Sequence, residues 1–524
     1  MKKYISILFA AVTLASCSSD ELELEPSNAI SEATVLDSEE NVSAVLMGAY
    51  DQTGSYLCLT LGQIALDNMA QDVMITNGAF GFPTYNWNQY TYNYIQYPNT
   101  ASGWWSGYCG YIWSRTYLAI NNCNLIIQNA DKLPEGCDDY LAQAYGIRGW
   151  NFLNLYHLFC PAYNNPQIGG DSGKGLFIRL ETASADASAN VERSDLKTSM
   201  AQIISDLTYA YENCSGTDTY FFNKKCAALL LARTYLEMND YANAQKFAEI
   251  ATDNTFDGSN LMSQDEYQSG FNTRNAEWLW GFQFDEESSN IYASIPSFYY
   301  LAKTISKTAV FGTKEYGQLV PGADADEQYV YLYDNGVDVL EGYSTLRIAK
   351  SFTEIFKKDD EGIWTDCRAL FPFTFNAKDG YVTAKFSSNG TLGVADFPMA
   401  RIAEAYLIEA EALYMQNNSA KSLTVLNTLQ EARNGYVSTS VDIDEIWKER
   451  RRELYGEGFA LTDLKRLCKP LERTGEDQWS STLTLPANSP RMMFPIPDDE
   501  LEYNPFYKGS NADYNKGQND YWAR

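Results

Sequence analysis

The stretch from Lys448 to Leu467, KERRRELYGEGFALTDLKRL, limits the possible folds more than any other, because it puts charge where a helix of its pattern puts core. Helical steps from Leu454 reach Ile443, Trp447, Arg450, Arg451, Glu457, Gly458, Leu461 and Leu464, an apolar stripe interrupted by ions. A solvated face would be an unbroken mixture of Lys and Glu, without Trp447, Leu454 and Leu461. The ions are therefore expected inside, with Arg450 reaching Glu453 and Glu457 in a buried bidentate ladder. A buried ladder of this kind is architecture before it is chemistry.

The rest of the chain supplies helices for that ladder to close. Ser38 to Tyr50 has helical spacing, and further helices are expected from Trp104 through Leu125 and from about Asp138 through Tyr156. Between Ala227 and Ala251, residues Leu231, Ala232, Tyr235, Tyr241, Ala244 and Ala248 fall at the small and large positions where two helices of a tetratricopeptide unit interlock. Ala405 to Arg433 is a weaker copy around the turn Asn417-Asn418. One such pair cannot bury its own face, so several must stack. Between the copies, Glu277 to Phe284 alternates with period two and reads as a strand with its Trp278, Trp280 and Phe side buried.

Three segments escape both periods: 76–103, 285–345 and 359–398. Loops of this length are functional or disordered, and their aromatic content argues against disorder. The chain has 38 tyrosines and 11 tryptophans, enough to fill a core and leave rings over for a surface. A carbohydrate site needs rings for the apolar face of a pyranose and amides or carboxylates for its hydroxyls. Tyr85-Asn86-Trp87-Asn88-Gln89-Tyr90 offers both within six residues, so Tyr85, Trp87, Asn88 and Tyr90 are candidate ligand-binding residues.

Several other chemistries find no footing. The single histidine, His157, and scattered cysteines without CxxC spacing exclude a zinc cluster of the usual kind, and no metal ligands or cofactor are expected. There is no GxSxG, HExxH or Walker loop, and no carboxylate pair is marked by its context as a glycosidase acid and base. Asp324-Ala325-Asp326-Glu327 lacks the spacing of a calcium loop. A net charge of −29 repels phosphate backbones, so nucleic acid is not expected as a partner and neutral ligands fit better.

At the N-terminus, Lys2, Lys3, an apolar run from Ile5 to Leu14 and then Leu14-Ala15-Ser16-Cys17 read as an export signal too short to span a bilayer. Leu-Ala-Ser before Cys17 resembles the bacterial lipobox, in which that cysteine becomes the lipidated N-terminus. The acidic run Asp20, Glu21, Glu23 and Glu25 resembles the signal that sends such lipoproteins to the cell surface. Residues 18 to about 33 follow as a tether.

The run Glu449-Arg450-Arg451-Arg452-Glu453-Leu454, then Glu457-Gly458, Asp463-Leu464 and Arg466, resembles the C-terminal signature of the SusD/RagB family of outer-membrane nutrient-binding lipoproteins. Arg401 to Ala412 is similar to the helix before that signature, and Phe494-Pro495-Ile496-Pro497 with Glu500 and Asn504-Pro505 to the closing segment. Ala460 stands where the family usually carries arginine, so one contact of the ladder is expected to be missing. Gln143 and Gly149 likewise replace a usual glutamate and alanine in the 138–156 helix.

The resemblance implies a mainly α fold, a tetratricopeptide-like scaffold with a large irregular insert and minor β. On that reading, residues 1–16 are the signal, 17–33 the lipidated tether and 34–524 one domain. Within it the scaffold spans about 34–270 and 399–470, the ligand-side insert about 271–398, and the closing segment 471–524. It implies a non-enzymatic glycan binder at the cell surface, partnered with a SusC-like TonB-dependent transporter. Ligand contacts are implied in 76–103 and about 286–320, the second region adding Tyr292 and Tyr299 as candidates. The competing readings are a surface glycan hydrolase, or a peptide-binding or purely scaffolding subunit of the transporter complex.

Overall fold

The computed structural model describes residues 35–55, 59, 61–75, 88, 90, 108–182, 191–289, 294–299, 311–313, 316, 318–319, 345–374, 380–389, 391, 393–474 and 482–507. Its first half is helical: α1 (Glu39–Gly54), α2 (Leu61–Asn68), α3 (Tyr108–Gln128), α4 (Asp138–Phe159), α5 (Leu196–Asn213), α6 (Lys224–Glu237), α7 (Tyr241–Ala251) and the short α8 (Gln264–Gln268). The helix starts are written in the sequence. The side chains of Ser38, Asp195, Asn223 and Asp240 accept backbone N–H groups of the first turns of α1, α5, α6 and α7.

The middle carries α9 (Ile295–Tyr299) and α10 (Lys350–Thr353), and the last third α11 (Ile402–Met415), α12 (Ser419–Ala432), α13 (Ile443–Leu454), α14 (Ala460–Arg466) and α15 (Asp498–Tyr503). Packing runs in series: α4 on α5, α5 on α6, α6 on α7, α7 on α11 and α11 on α12. The two expected repeat units, α6/α7 and α11/α12, thus lie side by side. Each pair is joined by a turn holding an asparagine in the left-handed region, Asn239 at φ 59° and Asn417 at φ 63°. Helices α4 and α11 are buried on nearly all sides, as the interior members of such a stack must be.

The β structure is minor. Strand β1 (Val73–Ile75) pairs antiparallel with β4 (Leu346–Ile348), β2 (Trp278–Phe282) antiparallel with β6 (Phe397–Arg401), β3 (Gln318–Leu319) parallel with β5 (Phe373–Thr374), and β7 (Leu471–Glu472) antiparallel with β8 (Thr484–Leu485). Trp278 and Trp280 are core residues, but one detail differs from the period-two reading. All five residues of β2 are buried, Leu279 included, because helices and β6 cover both of its faces. Register with β6 puts Trp278 opposite Arg401, at the point where β6 turns into α11. The eight described cysteines are free thiols, seven of them buried, and act as small core residues.

Candidate functional site

The charged stripe of α13 is inside, with Glu449, Arg450, Arg452 and Glu453 all buried, but its wiring differs from a ladder along one helix. Arg450 does not reach Glu453 or Glu457; its Nε donates to Asp463 at 2.9 Å. The two glutamates are claimed by residues distant in sequence. Glu453 accepts from Arg401 at 2.7 Å, Arg368 at 3.1 Å and Arg433 at 3.2 Å. Glu457 accepts from Arg401 at 2.8 Å and Lys385 at 2.7 Å. Arg401 and Arg433 also share Glu277, at 2.7 and 2.8 Å, while Arg368 is held bidentately by Asp366 and pairs with Glu449. Arg450 turns to α14 instead, and three guanidiniums from elsewhere in the chain, those of Arg368, Arg401 and Arg433, occupy Glu453.

Counting Arg452 on Glu449, five cations face five carboxylates, so the cluster is neutral as a whole. The surrounding arginines hold the carboxyls of Glu449, Glu453 and Glu457 below their ordinary range against a burial that pushes the other way. Lys385, pulled down to about 8 by burial, lies among the rings of Tyr267, Phe271, Phe386 and Tyr455. Because Glu277, Asp366, Arg368 and Lys385 come from the chain between α8 and α11, while Arg433 directly follows α12 and Glu449 and Glu453 lie on α13, this core fastens the middle of the chain to the late helices. Chemically it is a strut: each charge is spent on a partner, and no group is left to act on a substrate.

A second set of ion pairs surrounds α14. Arg466 grips Glu411 of α11 and Asp463, and Lys465 donates to the carbonyls of His157 and Cys160 at 2.7 and 2.8 Å. The turn before α14 depends on Gly458. At φ 87° any side chain there is strained, and an added Cβ would lie 2.0 Å from the amide oxygen of Gln63, which would have to shift. Its N–H donates to Asp67 of α2 at 2.7 Å, and Ala460, in place of an arginine, gives Asp67 only its own N–H at 3.2 Å.

The candidate ligand residues divide sharply. Tyr85, Trp87, Tyr292 and Cys17 lie outside the described residues. Asn88, Tyr90 and Tyr299 are described, and the expectation that they face a ligand is corrected: all three are completely buried. Asn88 donates to Asn68 at 3.0 Å. Tyr90 donates to the carbonyl of Met69, with the guanidiniums of Arg473 and Arg491 each 5.6 Å from its ring centre. Tyr299 packs on Phe386 at 5.4 Å. Asn88 and Tyr90 are thus fastened to the end of α2, whereas Tyr299 packs within the middle region of the chain.

At the start of the second segment lies a small cavity floored by Phe271, Phe284, Phe386 and Phe397 and edged by Ser289 and Asp396. The space open to water centres is about 20 Å³, enough for about one water molecule and too little for a sugar ring. Asp396 is engaged by the Tyr220 hydroxyl at 2.7 Å and the Phe284 N–H at 3.2 Å, and Ser289 donates to Gly393 at 2.8 Å. Among the described residues no three His, Cys, Asp or Glu side chains converge to hold a metal ion, and no helix is long and apolar enough to cross a membrane.

The architecture defines a class before it defines a family: a helical-repeat scaffold locked by a neutral ion core to an irregular middle region. Two family models match, one described as starch-binding and associating with outer membrane over residues 21–236, the other as the SusD family over residues 371–522. The chain belongs to the SusD/RagB family. A SusD-like protein of Formosa agariphila is 23% identical over 403 residues, covering 69% of this chain and 73% of that one. A putative sugar binding protein of Bacteroides vulgatus has the same fold, with a TM-score of 0.70 at 22% identity over 90% of this chain and 98% of that one. A laminarin-binding SusD-like protein matches with a TM-score of 0.62 at 19% identity over 89% and 98% of the two chains.

The arginines and acids that complete the core, Glu277, Arg368, Lys385, Arg401 and Arg433, escape a reading by helical spacing alone. Their signal is a lone charge set against a buried run, as in Glu277 before Trp278 and Arg401 before Ile402.

Proposed function

We propose that this protein is a lipid-anchored outer-membrane protein, exposed on the cell surface, that binds glycan and passes it to a SusC-like TonB-dependent transporter without cleaving it. The observation that carries the reading is membership of the SusD/RagB family, together with a fold shared along nearly the whole chain with a laminarin-binding relative. Cys17, after its export signal, supplies the anchor, and residues 17–33 the tether that lets a single domain, 34–524, sit over a transporter. Tyr85, Trp87 and Tyr292 supply rings to the glycan site. A net charge of −29 favours a neutral glycan over a phosphorylated or sulfated one.

The test is incubation of the purified protein with polysaccharides, host glycans and peptides. Binding without new reducing ends is the expected result. New reducing ends would support the hydrolase reading, and binding of peptides alone would support the peptide-carrier reading.

A further inference from the structure

A groove separate from the aromatic cavity, sharing none of its lining residues, opens where the chain leaving α12 meets the first turn of α13. It holds about 580 Å³ of open space, within the roughly 300–1,000 Å³ of ordinary small-molecule sites. One side is apolar and wet: Tyr436 is 45% exposed and Val437 49%. Such surface in a loop is not accounted for by core packing.

The walls are fixed rather than pliant. Gly435 sits where an added Cβ would come within 2.9 Å of Arg368, so the loop rests directly on the ion core. Ser438 is clamped by its N–H to Gln430 at 2.9 Å and by its carbonyl to Asn427 at 3.1 Å. On the opposite wall Arg452 holds the carbonyl of Ile355 at 2.8 Å. A preformed groove loses less on binding than a loop that must first be ordered.

Its charges are numerous but answered. Glu445 accepts from Lys448 at 2.9 Å, Glu354 from Lys358 at 3.0 Å and Asp444 from Lys469, while Asp442 caps α13 through the Glu445 N–H at 2.8 Å. Three of the four carboxylates therefore have a lysine, and the fourth, Asp442, is held by the N-terminus of α13, so the groove displays donors and acceptors with a slight acidic excess. Phosphates are repelled by such a surface, and polyamines gain little because the one carboxylate without a lysine, Asp442, already accepts the Glu445 N–H. A neutral polyhydroxylated chain gains hydrogen bonds from the exposed Thr439 and Ser440 and the paired ions, and the ring of Tyr436 meets its apolar face.

We propose that this groove is a second carbohydrate subsite that seats a neutral pyranose chain across Tyr436. The class of ligand rests on the glycan-binding reading above; the location rests on the groove. The test uses the full purified chain with laminarihexaose, maltohexaose, cellohexaose, xylohexaose and mannohexaose, followed by titration calorimetry and amide hydrogen exchange. At least one of these sugars is expected to protect the amides of residues 435–440. Tyr436→Ala should abolish that protection and weaken the site by about tenfold, Tyr436→Phe should retain both, and neither should move the melting midpoint by more than about two degrees. Protection elsewhere with none at 435–440, or affinity unchanged in Tyr436→Ala, overturns the subsite and leaves the glycan-binding reading standing. Binding of none of these sugars, with the wider polysaccharide screen also blank, overturns both.

Discussion

Arg401 holds Glu453 twice, through Nη1 to the carboxylate at 2.7 Å and through Nη2 to the backbone carbonyl at 2.8 Å, and both residues are fully buried. The same guanidinium spans Glu277 and Glu457, so one side chain ties β2, β6 and the signature turn together. Arg401→Ala leaves three buried carboxylates short of a partner and is expected to cost about 3–5 kcal/mol. Arg401→Lys keeps the charge but not the fork, and should recover only part of the loss. Chemical denaturation of both variants checks this; a wild-type midpoint in Arg401→Ala would show that the core is not what locks the insert.

Arg450, expected from spacing to hold Glu453 and Glu457, should matter less. Its one carboxylate partner, Asp463, keeps Arg466 at 2.9 Å when Arg450 is removed, and Arg450 Nη1 has no hydrogen-bond partner among the described residues. Arg450→Ala is therefore expected to cost about 1–3 kcal/mol, less than Arg401→Ala in the same experiment. The reverse ranking would restore the single-helix ladder.

The contrast between these two arginines marks what the sequence made legible. Periodicity along α13 is a local property, and it correctly put Arg450, Glu453 and Glu457 inside. Pairing is not local, since Arg368, Arg401 and Arg433 reach Glu453 from 20 to 85 residues away and no spacing rule ranks them. The repeat pairs are readable because their interlocking positions, such as Leu231, Ala232, Ala244 and Ala248, fall within one short stretch, and the turn Asn417-Asn418 marks the second pair. Tyr90 and Tyr299 differ from expectation for a related reason: a ring-rich cluster, or a region implied by resemblance, does not say which rings face inward. Their burial is set by Arg473, Arg491 and Phe386, all remote in sequence.

Asp67 should make stability fall as pH rises through neutrality's acid side. Burial raises its carboxyl to about 7, against the opposing pull of the Gly458 and Ala460 N–H groups, from an unfolded value of about 4. Between these values the native state holds a proton the unfolded chain has released, so the stabilisation is complete below about pH 4 and is lost towards about pH 7, at up to about 1.4 kcal/mol per unit. Glu449, Glu453, Glu457 and Asp463, all held low, act in the opposite sense, with stability present above about pH 4 and lost as pH falls further. The expected signature is a wild-type advantage over Asp67→Asn that shrinks from pH 4 to pH 7. A difference independent of pH across that window would place the Asp67 carboxyl at an ordinary value.

Cys17→Ala should leave the melting midpoint unchanged and move the protein from the detergent phase to the aqueous phase, because the proposed anchor is a lipid on that residue alone. Continued fractionation with outer membrane in cells lacking the transporter would rule out lipid as the anchor.

Trp87 and Tyr90 are three residues apart and are expected to fail in opposite ways. Tyr90 is a buried strut, bonded to Met69 and flanked by Arg473 and Arg491, so Tyr90→Ala should cost roughly 3–5 kcal/mol and lower the midpoint by several degrees. Trp87 is the proposed stacking ring, and Trp87→Ala should abolish or greatly weaken glycan binding while the midpoint stays within about two degrees. Titration of both variants and wild type against the best polysaccharide of the screen, with a melt of each, separates the roles. Full affinity in Trp87→Ala removes the ring from the site, and lost affinity with a collapsed melt makes Trp87 a second strut like its neighbour.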